Sequence, residues 1–221
     1  MNRLQVLKPI SIPHQILLPS DKAKLEGELF IPNGATGMVI FVQSSNYYNP
    51  YNQFIAKSIR EAGIGTLTFN LLTKEEEVQY LLTNFLRFNI MLLVKRLVYI
   101  TNFINTLTET SRLHIGYFGT SAGGGTALMA AAKVGDRIRA VVSHDGRPDL
   151  AGNLVSLVKA PTLFIVDGYD KPIINITRVA YQQMECVKES KFVPGINHQF
   201  EEPNRLENIA RLSTEWFHKY L

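Results

Sequence analysis

The chain has 221 residues, of which 46% are hydrophobic and 19% are charged, which is the balance of an ordinary globular protein. Its 23 basic and 19 acidic side chains leave a formal net charge of only +4, with no basic block, and this argues against nucleic-acid binding. The length suits one sizeable domain and no linker-like stretch divides the chain, so we predict a single domain over 1–221.

Targeting and membrane signals are not evident in the sequence. The N-terminal stretch is broken by prolines and lacks the long apolar core of a signal peptide. The most apolar helix candidate, 89–104, is interrupted by Lys95 and Arg96 and falls short of a membrane span. The lone cysteine, Cys186, cannot form an internal disulfide, which fits a reducing compartment. We therefore expect a cytoplasmic protein with no membrane partner.

Short apolar runs alternate with longer segments of helical periodicity. The alternating run 24–32 is typical of an outer antiparallel strand, and the continuous apolar run 37–44 is typical of a strand buried on both faces. Further strands are predicted at 64–72, 113–119, 138–146, 161–168 and 190–195. Helices are predicted near 52–62, within 74–108, directly after residue 121, and near 174–185 and 203–220. Such alternation predicts an α/β fold, with a mostly parallel twisted sheet covered by helices on both faces.

Three side chains with catalytic chemistry each follow a predicted strand. Ser121 lies in a G-x-S-x-G pattern after strand 113–119, Asp170 follows strand 161–168, and His198 follows the last strand. Because ligands bind beyond the carboxyl ends of the strands in open α/β sheets, we expect the three to meet there. Their order along the chain, Ser then Asp then His, is that of the α/β-hydrolases.

A Ser-His-Asp set has a defined chemistry. His198 would take the proton of the Ser121 hydroxyl, and Asp170 would fix the tautomer of the imidazole. The first amide of the following helix, that of Ala122, would face the developing oxyanion. Asp145, which follows the run RAVVS (139–143) at the end of strand 138–146, is an alternative acid or a pocket-lining residue.

Each of these residues also has a purely structural interpretation. Small residues at a strand–helix turn allow close packing, Asp170 lies in a stretch rich in turn formers, and a lone histidine is often a capping or surface residue. The agreement of all three positions with the ends of successive strands favours catalysis.

No cofactor or metal is expected. No Cys/His or His/carboxylate grouping has the spacing of a zinc site. The glycine-rich stretch 119–125 lacks both the lysine of a P-loop and the acidic partner of a dinucleotide site. We therefore predict a small-molecule substrate, with the oligomeric state left open.

Several segments together resemble the small bacterial α/β-hydrolases of the dienelactone-hydrolase-like family. They include "LEGELFIP", "IGYFGTSAGGGTALMAAA", "GRPDLAG", "APTLFIVDGYDKPI" and "VPGINHQFEEP", and the likeness extends from about Pro19 to the C-terminus. The resemblance implies an α/β-hydrolase fold with Ser121 as nucleophile, Asp170 as acid and His198 as base. The short chain leaves room for only a small lid, for which 74–88 is the candidate segment, or for none. Dienelactone hydrolases proper have a cysteine at the nucleophile, so this chain is a serine variant, and some members of the family are fused to a phosphoribosyltransferase domain.

The sequence departs from the family pattern after the third predicted strand. The family's His-Gly pair, which shapes the second oxyanion-hole amide, is replaced by Gln43 and Ser44, and the implied amide donor is Ser45. Loss of one such donor typically lowers the rate by roughly 10²–10³. The residues expected to line the substrate pocket are Gln43, Asn46, Tyr47 and Asp145.

These patterns lead to one main functional hypothesis and two alternatives. The main hypothesis is a serine hydrolase acting on an ester, thioester or lactone of a small substrate. The first alternative, motivated by the Gln43-Ser44 departure, is a catalytically weak protein of this fold that binds a small molecule or another protein. The second alternative is an acyltransferase that forms the same acyl-enzyme.

Overall fold

The computed structural model describes residues 10–20, 23–43, 49–83, 89–193 and 204–221. The strands are β1 (Ile10–Ser20), β2 (Ala23–Ile31), β3 (Gly37–Val42), β4 (Gly65–Phe69), β5 (His114–Thr120), β6 (Ile138–His144), β7 (Thr162–Asp167) and β8 (Lys188–Val193). The α-helices are α1 (Pro50–Glu61), α2 (Lys74–Thr83), α3 (Ile90–Ile104), α4 (Ala122–Val134), α5 (Lys171–Gln183) and α6 (Arg205–Tyr220). Two 3₁₀ segments cover Gly135–Arg137 and Pro148–Leu157.

All the described strands form one eight-stranded sheet in the order β1-β2-β4-β3-β5-β6-β7-β8. The pairs β1–β2 and β2–β4 are antiparallel, and every other neighbouring pair is parallel. The prediction of an α/β fold with a mostly parallel sheet is therefore confirmed. The parallel strands from β3 to β8 bring the chain segments that follow them to one edge of the sheet.

The two faces of the sheet carry separate cores. Ile40 and Val42 of β3 belong to the cluster that also contains buried residues of α3 and α4. Val39 and Phe41, which alternate with them, belong to the cluster that contains buried residues of α1 and α6. Because successive side chains of a strand point to opposite faces, an apolar run such as 37–42 fits a sheet covered on both sides.

The first strand, β1, was not predicted from the sequence, and its presence corrects the position of β2. β2 is antiparallel, as expected, but it lies between β1 and β4 and is not the outer strand. β1 contains Pro13 and Pro19, which interrupt the strand pattern in the sequence. An edge strand tolerates proline because one row of its N–H groups has no neighbour to bond. The register shift in the β1–β2 pairing spans Pro13.

The segment expected to hold any lid begins with α2, which is tied to α3. The Arg96 guanidinium donates to both carboxylate oxygens of Glu76, at 2.6 and 2.7 Å, and to the Leu71 carbonyl at 2.7 Å. Residues 84–88 of that segment lie outside the described part of the chain. Among the described helices, none is both long enough and apolar enough to cross a membrane.

Candidate active site

Ser121 lies at a sharp turn between the end of β5 and the start of α4. Its backbone has φ 49° and ψ −125°, a positive-φ conformation outside the left-handed helical region that residues with a side chain rarely adopt. Such conformations cost about 1–3 kcal/mol each and persist where the surrounding structure enforces them, often at functional sites. The residue is exposed, and its side chain makes no capping hydrogen bond to α4. This is the backbone geometry of the nucleophile elbow that G-x-S-x-G predicts.

Two glycines enforce the turn. A Cβ atom at Gly123 would lie 2.0 Å from the carbonyl oxygen of Val42, and one at Gly119 would lie 2.4 Å from the carbonyl oxygen of Gly123. Neither position can accept a side chain while α4 stays where it is. The close packing of α4 on the sheet and the exposure of Ser121 are thus two consequences of the same glycines.

The backbone around Ser121 is fixed by hydrogen bonds and places the first amide of α4 beside the serine. The Ser121 carbonyl accepts hydrogen bonds from Gly124 N at 3.1 Å and from Arg147 N at 2.9 Å. Ala122 is the first residue of α4, and the first N–H groups of a helix have no intrahelical acceptor. The positive end of the helix dipole lies at the same place, so the Ala122 amide can stabilise a negative oxygen.

Asp170 lies at the start of α5, three residues after β7. Its Oδ1 atom accepts a hydrogen bond from Ile173 N at 3.0 Å and so caps the helix. The side chain is exposed. One carboxylate oxygen therefore has a structural role, which the turn-former interpretation anticipated, and this anchors the group beside the pocket.

A pocket of about 440 Å³ opens next to the elbow. The described residues that line it are Ser121, Ala122, Asp145, Arg147, Leu150, Asp167, Asp170 and Ile173. Four of the residues singled out from the sequence, Ser121, Ala122, Asp145 and Asp170, thus share one cavity. The predicted base and the remaining loop residues, His198, Ser45, Asn46 and Tyr47, lie outside the described residues, and their roles stay predictions.

Gln43 lies beside the elbow and is buried. It follows β3 directly, and its Cα lies 3.6 Å from the position that a Cβ of Gly123 would occupy. Its Oε1 accepts a hydrogen bond from Asn52 Nδ2 at 2.5 Å. The sequence suggested a pocket-lining role for Gln43 but gave no signal for Asn52.

Two carboxylates at the pocket are held by Arg205, the first residue of α6. The Arg205 Nη2 atom lies 3.4 Å from Asp145 Oδ2 and 3.2 Å from Asp167 Oδ2. Asp145 Oδ1 also accepts a hydrogen bond from Asp167 N at 2.7 Å. The sequence gave no signal for Arg205, because its partners are 60 and 38 residues away along the chain.

The Asp145 carboxylate is stabilised in its charged form. Burial raises its pKa, but His144, whose Nε2 lies 3.0 Å from Oδ2, the Asp167 amide and the Arg205 guanidinium outweigh burial and lower the pKa of Asp145. Asp145 has a positive φ of 42°, as Ser121 does. Aspartate tolerates this region better than most residues.

His144 packs against the first turn of α1. Its ring stacks on that of Tyr51, with centroids 5.5 Å apart and 14° between the planes, and its Nε2 lies 3.3 Å from the Tyr51 hydroxyl. Burial raises the pKa of Tyr51, so the phenol stays neutral. Tyr51 lies within α1 and is half-buried.

The eight-stranded sheet and the elbow after β5 place the protein in the α/β-hydrolase class. A dienelactone hydrolase from Anabaena variabilis is 45% identical to the chain, with a TM-score of 0.88 over 95% of this chain and 99% of that one. Est1E from Butyrivibrio proteoclasticus shares the fold at 14% identity, with a TM-score of 0.74 over 93% of this chain and 98% of that one. The chain belongs to the dienelactone-hydrolase-like family of α/β-hydrolases.

Longer relatives carry a different name. Two Mycobacterium tuberculosis proteins, from strains CDC 1551 / Oshkosh and H37Rv, are 40% identical over 197 residues and are provisionally named phosphoribosyl transferases. The match covers 88% of this chain but only 44% of each of them, so the chain spans less than half their length. No protein-family model matches the chain.

Proposed function

We propose that the chain is a serine hydrolase that cleaves an ester, thioester or lactone bond of a small substrate through an acyl-enzyme. The observation that carries this proposal is the strained, exposed Ser121 at the N-terminus of α4, in one pocket with Asp170. A small-molecule substrate suits the pocket volume of about 440 Å³, which is in the usual range for ligand pockets.

The proposed reaction has two halves. Ser121 Oγ attacks the acyl carbon while His198 takes its proton, and the carbonyl oxygen becomes an oxyanion held by the backbone amides of Ala122 and Ser45. The oxyanion collapses, the bond to the leaving group breaks, and His198 returns the proton to that group. Water, deprotonated by the same imidazole, then attacks the acyl-enzyme, and the acid is released as Ser121 regains its proton.

The surroundings of the carboxylates support Asp170 as the acid that orients His198. Arg205 lies between Asp145 and Asp167 and contacts both carboxylates, and the Asp167 amide further engages Asp145. Within the described part of the chain, Asp170 accepts a side-chain hydrogen bond through Oδ1 alone, from Ile173 N at the start of α5. A rigid carboxylate with an available oxygen is what an imidazole partner needs.

The name of the longer relatives does not determine the reaction of this chain. Over half of each Mycobacterium protein lies outside the match, and the matched part corresponds to the α/β-hydrolase fold described above. We therefore assign hydrolysis, and not phosphoribosyl transfer, to this part of the architecture.

Hydrolysis of p-nitrophenyl esters of increasing acyl length tests the proposal. We expect turnover by the wild-type protein, and a loss of about 10³-fold or more in kcat with Ser121→Ala, His198→Asn or Asp170→Asn. Ser156→Ala is the matched control, since Ser156 is an exposed serine bonded only to the Asn153 carbonyl. We expect this control to keep wild-type turnover.

Two results would contradict the proposal. Turnover that survives in Ser121→Ala would assign it to another group or to a contaminant. Binding of the esters without turnover would favour the catalytically weak binding protein. Added alcohols serve as acceptors in the same assay, and an ester product in place of the acid would identify an acyltransferase.

A further inference from the structure

Two side-chain amides beside the elbow are buried with half of their polar atoms unpaired. Gln43 and Asn52 are each only 5% exposed. Asn52 Nδ2 donates to Gln43 Oε1, but Gln43 Nε2 and Asn52 Oδ1 have no hydrogen-bond partner among the described residues. Buried side-chain polar atoms are bonded in the large majority of cases, so an unpaired amide N–H₂ at this place points to a partner that arrives with a ligand.

The position of Gln43 relates it to the reacting atoms. The carbonyl of Val42 and the Cα of Gln43 pack against Gly123, in the first turn of α4. The Gln43 carbonyl in turn accepts a hydrogen bond from Leu71 N at 3.1 Å, which fixes the main chain at the end of β3. Gln43 is therefore held against the helix whose first amide, that of Ala122, is the proposed oxyanion donor.

We propose that the Gln43 side chain donates a hydrogen bond from Nε2 to the acyl oxygen of the substrate as that oxygen becomes negative. This inference rests on the proposed function and adds a side-chain donor to the backbone amide of Ala122. A neutral amide supplies a donor without adding a charge to the pocket.

Asn52 acts as a positioning residue for this donor. Its Nδ2 bonds to the oxygen end of the Gln43 amide, so the nitrogen end is the one left free. Asn52 lies in the first turn and a half of α1, whose N-terminus is capped by the Asn49 side chain through Tyr51 N at 2.9 Å. The orientation of the Gln43 amide is thus set by a rigid helix.

The proposal predicts an effect on the chemical step. A hydrogen bond that strengthens as charge develops on the oxygen lowers the barrier, so its loss lowers kcat and leaves KM nearly unchanged. Gln43→Met keeps the approximate shape and removes the donor. Gln43→Glu is isosteric and removes the donor in its ionised form, so the variants are assayed up to about pH 9, where even a buried glutamate ionises. For both variants we expect kcat to fall by about 10²–10³.

Affinity for a trifluoromethyl ketone distinguishes a catalytic role from a structural one. The ketone forms a tetrahedral adduct with Ser121, so its inhibition constant should rise in parallel with the loss of kcat in Gln43→Met and Gln43→Glu. For Asn52→Leu we expect a smaller loss of kcat, about tenfold, because the donor remains but is no longer oriented. Thr68→Val is the control, since it also removes an unpaired buried polar atom, from β4, and should leave kcat and the inhibition constant unchanged.

The outcomes separate this inference from the proposed function. If kcat falls less than threefold in both Gln43 variants, or falls without a change in affinity for the ketone, Gln43 is only structural and the inference is wrong. If Gln43→Met fails to fold, the kcat and the ketone affinity of the isosteric Gln43→Glu variant decide whether Gln43 is a donor. If the wild-type protein has no turnover and forms no ketone adduct, the proposed function fails and this inference fails with it.

Discussion

Ser121 occupies a backbone conformation that is costly for a serine, and the residues that make room for it are glycines. The G-x-S-x-G pattern was enough to predict this turn, because each of its glycines is required by a backbone atom of a neighbouring element. The turn can be predicted from sequence because the residues that form it, Gly119, Ser121 and Gly123, are a few positions apart. The contact of Gly123 with the distant Val42 follows from the packing of α4 on the sheet.

The steric role of Gly123 leads to a direct test. Gly123→Ala places a methyl group 2.0 Å from the Val42 carbonyl oxygen, so α4 must move away from the sheet. We expect the free energy of unfolding to fall by about 1–3 kcal/mol, as for other overpacked sites, and esterase activity to fall with the displacement of Ser121.

Gly168→Ala is the control for this variant. Of the described residues, a Cβ there would meet the Val193 carbonyl oxygen alone, at an ordinary 3.4 Å. Urea unfolding should give a free energy within about 0.5 kcal/mol of wild type for Gly168→Ala. Equal stability of Gly123→Ala and wild type would show that the elbow does not depend on this contact.

The side-chain contacts of Gln43 and Arg205 could not be predicted from the sequence. The sequence placed Gln43 at the end of a strand, but its contact with Asn52 depends on how α1 packs. Arg205 meets Asp145 and Asp167 only because β6, β7 and α6 converge at one edge of the sheet. Such contacts follow from the topology, and no local pattern encodes them.

Among the elements, α6 is joined to the ends of β6 and β7 by the Arg205 ion pairs. The side chain of Arg205 is 17% exposed, so the ion pairs are largely shielded from water. Arg205→Met keeps much of the aliphatic bulk and leaves Asp145 and Asp167 without their cation. We expect the free energy of unfolding to fall by about 2–4 kcal/mol, near the values for broken buried pairs.

An exposed Arg–Glu ion pair on the same helix is the control for the loss of an arginine side chain. Arg211 bonds to Glu215 one turn further along α6, and both side chains are more than half exposed. Arg211→Met should lower the free energy of unfolding by no more than about 0.5 kcal/mol. A loss as large as that of Arg205→Met would mean that the ion pairs of Arg205 with Asp145 and Asp167 make no specific contribution to stability.

The contacts that hold the Asp145 carboxylate in its charged form predict a pH dependence of stability. The pKa of Asp145 is lower in the folded protein than in the unfolded chain, so the folded state binds fewer protons near that pKa. The stabilisation is present above the ordinary aspartate pKa of about 3.9 and is lost as the pH falls through the lower, folded-state value. We expect Asp145→Asn to flatten the acid limb of a plot of unfolding free energy against pH.

Chemical denaturation between pH 2 and pH 7 measures this effect. The wild-type protein should lose more stability than Asp145→Asn on acidification below about pH 4. Parallel acid limbs for the two proteins would show that the Asp145 carboxylate is not held in its charged form by its neighbours.

For the whole molecule, the alternation of strands and helices was sufficient to predict the class of fold. The continuous apolar runs of the central strands identified a sheet covered on both faces, and the parallel order followed from the helices between them. β1 could not be predicted, because its prolines interrupt the pattern and an edge strand tolerates them. The 3₁₀ segment Pro148–Leu157, kinked at Gly152, was not predicted either.

The position of β1 at the edge of the sheet predicts its dynamics. Among the described residues β1 pairs with β2 alone, and Ile12 and Leu17 on it are exposed. Peptides from β1 should exchange amide hydrogens faster than peptides from β5, which is paired and covered on both sides. Hydrogen–deuterium exchange measures both in one experiment, and equal protection would contradict the edge assignment.

Labelling by a fluorophosphonate tests the central claim, that Ser121 is an activated nucleophile, most directly. The probe phosphonylates a serine only where a base and an oxyanion site activate it, and mass spectrometry of the digested protein locates the adduct. We expect one adduct per chain on Ser121, and no adduct in the folded Ser121→Ala variant. A folded wild-type protein that stays unlabelled, or a label on another residue, would contradict the account.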